Sequence, residues 1–165
     1  MKNLKIWSLA LALLVAMTGC EPADKTDEGG ETKKPFKPVA TSELSTKIQT
    51  AWQLVEYADA EAKFDVFIEF ANGEFELYQR IYSTEYEKLT GTYNLDGTTL
   101  TGVYSNDVEW NHTYTVKIAE NPLRLRLIEE NGTYAEYEAI SEEDLAVIEG
   151  QAVETKATRA TEYFL

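Results

Sequence analysis

"LRLRLIEENGTYAEYEAI", Leu123 to Ile140, alternates apolar and polar residues on both sides of a glycine turn. That period belongs to half-buried antiparallel strands, and the turn decides which side chains meet. A two-residue Asn131-Gly132 loop would set Leu125 and Leu127 against Glu138 and Glu136. A three-residue loop, Glu130-Asn131-Gly132 with the glycine left-handed, sets them against Tyr137 and Ala135. It also brings Arg124 and Arg126 opposite Glu138 and Glu136. The bulged three-residue form satisfies both faces, and it is a common hairpin geometry.

The same period runs outward from this hairpin through Thr41–Gly150, broken by turn signals every eight to twelve residues. Eight strands are expected. They are Ala51–Ala58, Lys63–Ala71, Glu74–Tyr82, Lys88–Leu95, Thr98–Ser105, Glu109–Ile118, Leu123–Glu129 and Thr133–Ile140. Asn72-Gly73 as a two-residue loop pairs Phe70 with Phe75 and Ile68 with Leu77, and sets Asp65 facing Arg80. Asp96-Gly97 as a two-residue loop pairs Tyr93 with Leu100 and Leu89 with Tyr104, which makes Gly91 face Gly102. Short connections imply sequential antiparallel neighbours, and a meander of this size removes its exposed edges by closing. The expected fold is therefore all-β, an eight-stranded antiparallel up-and-down barrel with short flanking helices. One helix carries Leu44 and Ile48 before the first strand. The other is "EEDLAVIE", capped by Ser141 and ended by Gly150.

From about Ser42 to Ile148 the chain resembles the lipocalin-like domains of bacterial lipoproteins. The likeness lies in Trp52 opening the first strand, in "FANGEFELY" (Phe70–Tyr78), in "GTYNLDGTTLTG" (Gly91–Gly102), and in the helix after the last strand. Two features of lipocalins proper are missing. Thr50 stands where they carry a glycine, and the last strand has no arginine to pack on the tryptophan. The resemblance implies a calycin-type barrel and leaves its cargo unspecified.

Met1–Gly19 has the layout of a secretory signal peptide. Lys2 and Lys5 come first, then the apolar run Ile6–Ala16, then small residues before Cys20, the sole cysteine. Leu14–Cys20 resembles the lipobox of bacterial lipoproteins, which implies acylation of Cys20. Residues 20–40 are then a lipidated, disordered tether, in which Phe36 is the only large apolar side chain of Glu21–Pro38. Its Asp24-Lys25-Thr26-Asp27-Glu28 cluster resembles signals that send lipoproteins to the cell surface. Residues 41–150 form the barrel domain. Residues 151–165 are expected to be a flexible tail in which Tyr163-Phe164-Leu165 offers an apolar cluster for docking. The implied location is the cell envelope, with the chain anchored to the outer membrane through the lipid on Cys20.

The net charge of −14 becomes two units more negative once Lys2 and Lys5 leave with the signal. Such a surface repels phosphate backbones, so no nucleic-acid partner is expected. The single cysteine leaves none for a disulfide or zinc cluster, and no serine–histidine–aspartate order, P-loop or paired-carboxylate cleft appears. No enzyme activity, cofactor or metal is expected.

The candidate ligand site lies in the barrel half nearer the longer loops. A straight strand over Glu109–Ile118 turns Trp110, His112 and Tyr114 inward, brings His112 level with Gly102, and sets it opposite Glu129. Two facing glycines beside an imidazole–carboxylate pair imply a hollow with a polar wall. Gly91, Gly102, Tyr93, Tyr104, Trp110, Tyr114, His112 and Glu129 would contact the ligand, and Phe64, Val66, Ile68, Phe75, Leu77, Leu100 and Leu127 would complete the lining. The competing reading is that the glycines only let the sheet bend and His112 is a satisfied core residue. Trp52 lies at the closed base as core. Two functions follow. One is a membrane-anchored, non-enzymatic barrel binding a small apolar or amphipathic ligand in a cavity of at least about 300 Å³. The other is a solid-cored surface lipoprotein acting as a protein–protein interaction module.

Overall fold

The computed structural model describes residues 34–158 and 163–165. The signal peptide, Cys20 and most of the tether therefore lie outside the described residues. Among the described residues ten strands form: β1 (Ala51–Tyr57), β2 (Ala60–Glu61), β3 (Asp65–Ala71), β4 (Glu74–Arg80), β5 (Tyr86–Asp96), β6 (Thr99–Tyr104), β7 (Tyr114–Ala119), β8 (Arg124–Ile128), β9 (Tyr134–Ile140) and β10 (Ala152–Glu154). Eight of them, β1 and β3 to β9, pair antiparallel in chain order, and β1 pairs β9 to close the barrel. β2 and β10 lie outside that ring, on β1 and β5. Closure uses the register Trp52 to Ala139 and Leu54 to Tyr137, with an irregularity between Leu54 and Glu56.

Two hairpins have the expected registers. β3 and β4 pair Phe70 with Phe75, Ile68 with Leu77 and Asp65 with Arg80. β8 and β9 pair Leu125 with Tyr137 and Leu127 with Ala135, with Gly132 at φ +90° in the three-residue loop. Outside this pair, Glu136 is fully buried between Arg124 at 3.1 Å and Arg126 at 2.6 Å.

The β5–β6 hairpin departs from expectation by two residues. Asp96 pairs Thr99, so the loop is Gly97-Thr98, with Gly97 at φ +60° in the first central position. The same side chains stay inward, because a slip of two preserves the face. Their partners change: Gly91 faces Tyr104 and Gly102 faces Tyr93. A large ring opposite a glycine fills space that a glycine–glycine pair would leave void, which favours this register.

Two helical segments cover the wall. α1 (Leu44–Lys47), preceded by a 3-10 turn at Thr41–Glu43, buries Leu44 and the adjoining Ile48 at the base. Trp52 donates its indole N–H to the Ile48 carbonyl at 2.9 Å. α2 (Glu142–Glu149) is capped by Ser141, whose hydroxyl accepts from the Asp144 N–H at 3.1 Å. Its Leu145 and Ile148 cover Phe67, Tyr78 and Tyr86 on the outer face of β3, β4 and β5. Among the described residues no helix is long and apolar enough to cross a membrane.

Parts of both segments expected to be flexible pack on the barrel where they are described. Val39 donates to the Ile118 carbonyl, Pro38 bridges Ala119, and the Phe36 ring lies under the guanidinium groups of Arg124 and Arg126. In the tail, β10 pairs parallel with β5, and Ala157, Tyr163 and Leu165 are buried. The apolar residues of these polar segments find barrel surface to cover, and that burial offsets the entropy of ordering them.

Candidate functional site

β7 begins at Tyr114, five residues later than a straight strand from Glu109 would. The chain instead turns back after β6. Tyr104 donates to the Val108 carbonyl and Trp110 to the Gly102 carbonyl. Leu100 then pairs Tyr114, the register a straight strand gives, so Asn111–Thr113 form a bulge between the two points. Trp110 thereby takes the place opposite Gly102 expected for His112. A Cβ on Gly102 would lie 2.2 Å from Trp110 Cε2, because the indole rests on the glycine. Burying an indole here gains far more apolar area than burying an imidazole, and exposing His112 leaves its nitrogens to water.

The expected hollow is therefore filled. Gly91 is crowded as well, since a Cβ there would meet the Val103 carbonyl at 2.1 Å and the Phe75 ring at 2.6 Å. His112 is exposed, and Glu129 is half-buried near the end of β8. They meet only along an open surface depression of about 330 Å³ with Glu130 and Asn131. The inward histidine–carboxylate pair does not form. Tyr93, Gly102, Trp110 and His112 do share an open groove of about 420 Å³ on the barrel wall. Val66, Ile68, Phe75, Leu77, Leu100 and Leu127, expected to line the hollow, are buried core, and Phe64 is half-buried.

Tyr104 and Tyr114 are buried and point their hydroxyls at a segment of the same chain. Tyr163–Leu165 occupies the barrel mouth. Tyr104 Oη donates to the main-chain oxygen of Leu165 at 3.0 Å and Tyr114 Oη to the Phe164 carbonyl at 3.3 Å. The Phe164 N–H donates to Gln79 Oε1 at 3.1 Å, and Asn111 Nδ2 donates to the Tyr163 carbonyl at 3.4 Å. The Phe164 ring packs on Tyr57, Phe64 and Tyr137, with centroids 5.5, 5.7 and 6.3 Å away. Leu165 is fully buried. Burial pushes the Tyr104 and Tyr114 phenols well above their ordinary range, so both remain neutral donors at physiological pH.

Three members of this site were not legible beforehand. Gln79 is polar on an inward position of β4, where alternation alone offers no reason for it; its buried carboxamide also donates to Glu87 at 3.2 Å. Tyr137 is fully buried, and its hydroxyl has no partner among the described residues. The "YFL" cluster was visible as an apolar end to a polar tail, but nothing in the sequence said where it docks.

No protein-family model matches the chain, and no curated protein matches it. Among solved structures, a lipocalin-like protein from Bacteroides uniformis aligns with 57% of this chain and 99% of its own, at 24% identity and a TM-score of 0.43.

Proposed function

We propose that this chain is a lipid-anchored, non-enzymatic binding barrel whose ligand site is the mouth now filled by residues 163–165. One observation carries the reading: Gln79, Tyr104, Asn111 and Tyr114 all direct polar atoms at a short apolar guest inside a ring of aromatic side chains. Ligand sites have this composition, mostly apolar with a few placed polar groups. The ligand class is small and apolar or amphipathic. Anchoring through Cys20 at the outer membrane rests on Leu14–Cys20 and the polar tether after it.

The test is native mass spectrometry on the chain from Glu21 onward, purified without detergent, as wild type and as Phe164→Asp. The charged variant is expected to eject the segment and to retain fatty-acid-like molecules that the wild type does not. A folded Phe164→Asp protein that stays bare would turn the reading toward an interaction module. The filling of the lumen from both ends, by Leu44 and Ile48 below and Leu165 above, is what favours that second reading. Anchoring is checked by labelled palmitate, which the wild type should incorporate and Cys20→Ala should not.

A further inference from the structure

Among the described residues, the hydrogen bonds between the barrel wall and Tyr163–Leu165 go to the segment's backbone. Gln79 accepts the Phe164 N–H, and Asn111, Tyr114 and Tyr104 donate to the main-chain oxygens of Tyr163, Phe164 and Leu165 in turn. Recognition of consecutive backbone groups is the way peptide sites read an extended guest, while separate pockets read its side chains. Those pockets are present here. Phe164 enters the cage of Tyr57, Phe64 and Tyr137, Leu165 is fully enclosed, and Tyr163 lies tilted on Tyr104 at 5.6 Å.

The host groups make little sense without such a guest. Gln79 is 1% exposed, and a buried carboxamide oxygen without a partner is costly. Tyr137 adds a buried hydroxyl without a partner among the described residues, in the neighbourhood of the Tyr57, Tyr104 and Tyr114 phenols. The mouth therefore offers more hydrogen-bonding capacity than three residues use. A plain apolar cargo would leave most of it unmatched.

We propose that the barrel mouth is a peptide-binding site for extended aromatic–aliphatic segments, and that Tyr163–Leu165 is its ligand bound in cis. This rests on the mouth being the ligand site, and it names the ligand class. A free peptide then competes with the chain's own segment, so wild-type affinity is reduced by the fraction of molecules whose mouth is filled.

The probe is a fluorescein-labelled peptide of residues 156–165, followed by anisotropy against the chain from Glu21 onward. Phe164→Asp protein, shown to be folded by circular dichroism, is expected to bind it at least about tenfold more tightly than wild type. Adding Tyr104→Phe and Tyr114→Phe is expected to weaken that binding about tenfold, as loss of two ordinary hydrogen bonds would. In the wild type, the Phe164 amide should be protected from hydrogen exchange, and excess unlabelled peptide should accelerate its exchange. That measurement needs no destabilised variant. Binding of cis-parinaric acid by Phe164→Asp without peptide binding overturns the peptide inference and leaves the mouth as an apolar ligand site. Binding of neither overturns both. A Phe164 amide whose exchange ignores saturating peptide overturns the inference by itself.

Discussion

Gly102 and Trp110 act as one unit, since the absence of a side chain at the first is what seats the indole of the second. Gly102→Ala puts a methyl into that ring and is expected to cost about 1–3 kcal/mol of stability, as overpacking does, read as a lower urea midpoint. Glu136 is a stronger case of dependence on neighbours. Fully buried between two arginines, it is expected to cost about 3–5 kcal/mol when changed to alanine, because Arg124 then loses its buried counter-charge. Glu69 works the other way. Burial first, then the charges of Glu76, Glu142 and Glu149, raise its pKa above the ordinary 4.5. A carboxyl raised on folding favours the native state below the unfolded value, and that stabilisation is lost as pH rises through the folded one. Glu69→Gln should therefore unfold at higher urea than wild type at pH 7, and the difference should vanish below pH 4.

At the level of elements, α2 exists because Ser141 caps it and because β3, β4 and β5 present an apolar patch outward. Phe67 and Tyr78 break the alternation on the solvent side of β3 and β4, and Leu145 and Ile148 cover them. Lys88 ties the end of the helix to the wall, 3.0 Å from Glu149 and 2.9 Å from Glu76. Ser141→Ala removes one capping acceptor and is expected to cost about 1 kcal/mol, measured as a fall in melting temperature. β7 shows the opposite balance. Alternation continues through Asn111–Thr113, yet the ladder to β6 holds only the Thr99–Thr115 and Leu100–Tyr114 pairs. Seating Trp110 on Gly102 outweighed the strand hydrogen bonds that a straight run would have made.

At the largest scale, the described residues form a barrel whose two ends are closed by its own chain. Leu44 and Ile48 seal the base beneath Trp52, and Tyr163–Leu165 seal the mouth. The mouth seal is the part joined to the barrel by a handful of polar contacts and three side chains. Leu165→Ala is expected to lower stability by about 2 kcal/mol, the low end for a buried leucine because the segment can leave its site. It should also raise the fluorescence of an added apolar dye by loosening the seal over the mouth. A lost seal with unchanged dye binding would mean that the barrel collapses on itself.

Local periodicity and turn chemistry made the number of barrel strands, the β3–β4 and β8–β9 registers and the capped α2 readable, since each depends on residues close together in the chain. Phe70 meets Phe75 and Leu125 meets Tyr137 because alternation and a glycine at the turn leave few other pairings. The two-residue slip at Gly97-Thr98 was not readable, because alternation is unchanged by a shift of two and only the volumes of Tyr93 and Tyr104 against the glycines distinguish the registers. The register in which β1 closes on β9, the exchange of His112 for Trp110 beside Gly102, and the seat of Tyr163–Leu165 join residues far apart in the chain. Those were decided by competition for space and for buried hydrogen-bond partners, which exists only once the barrel has formed.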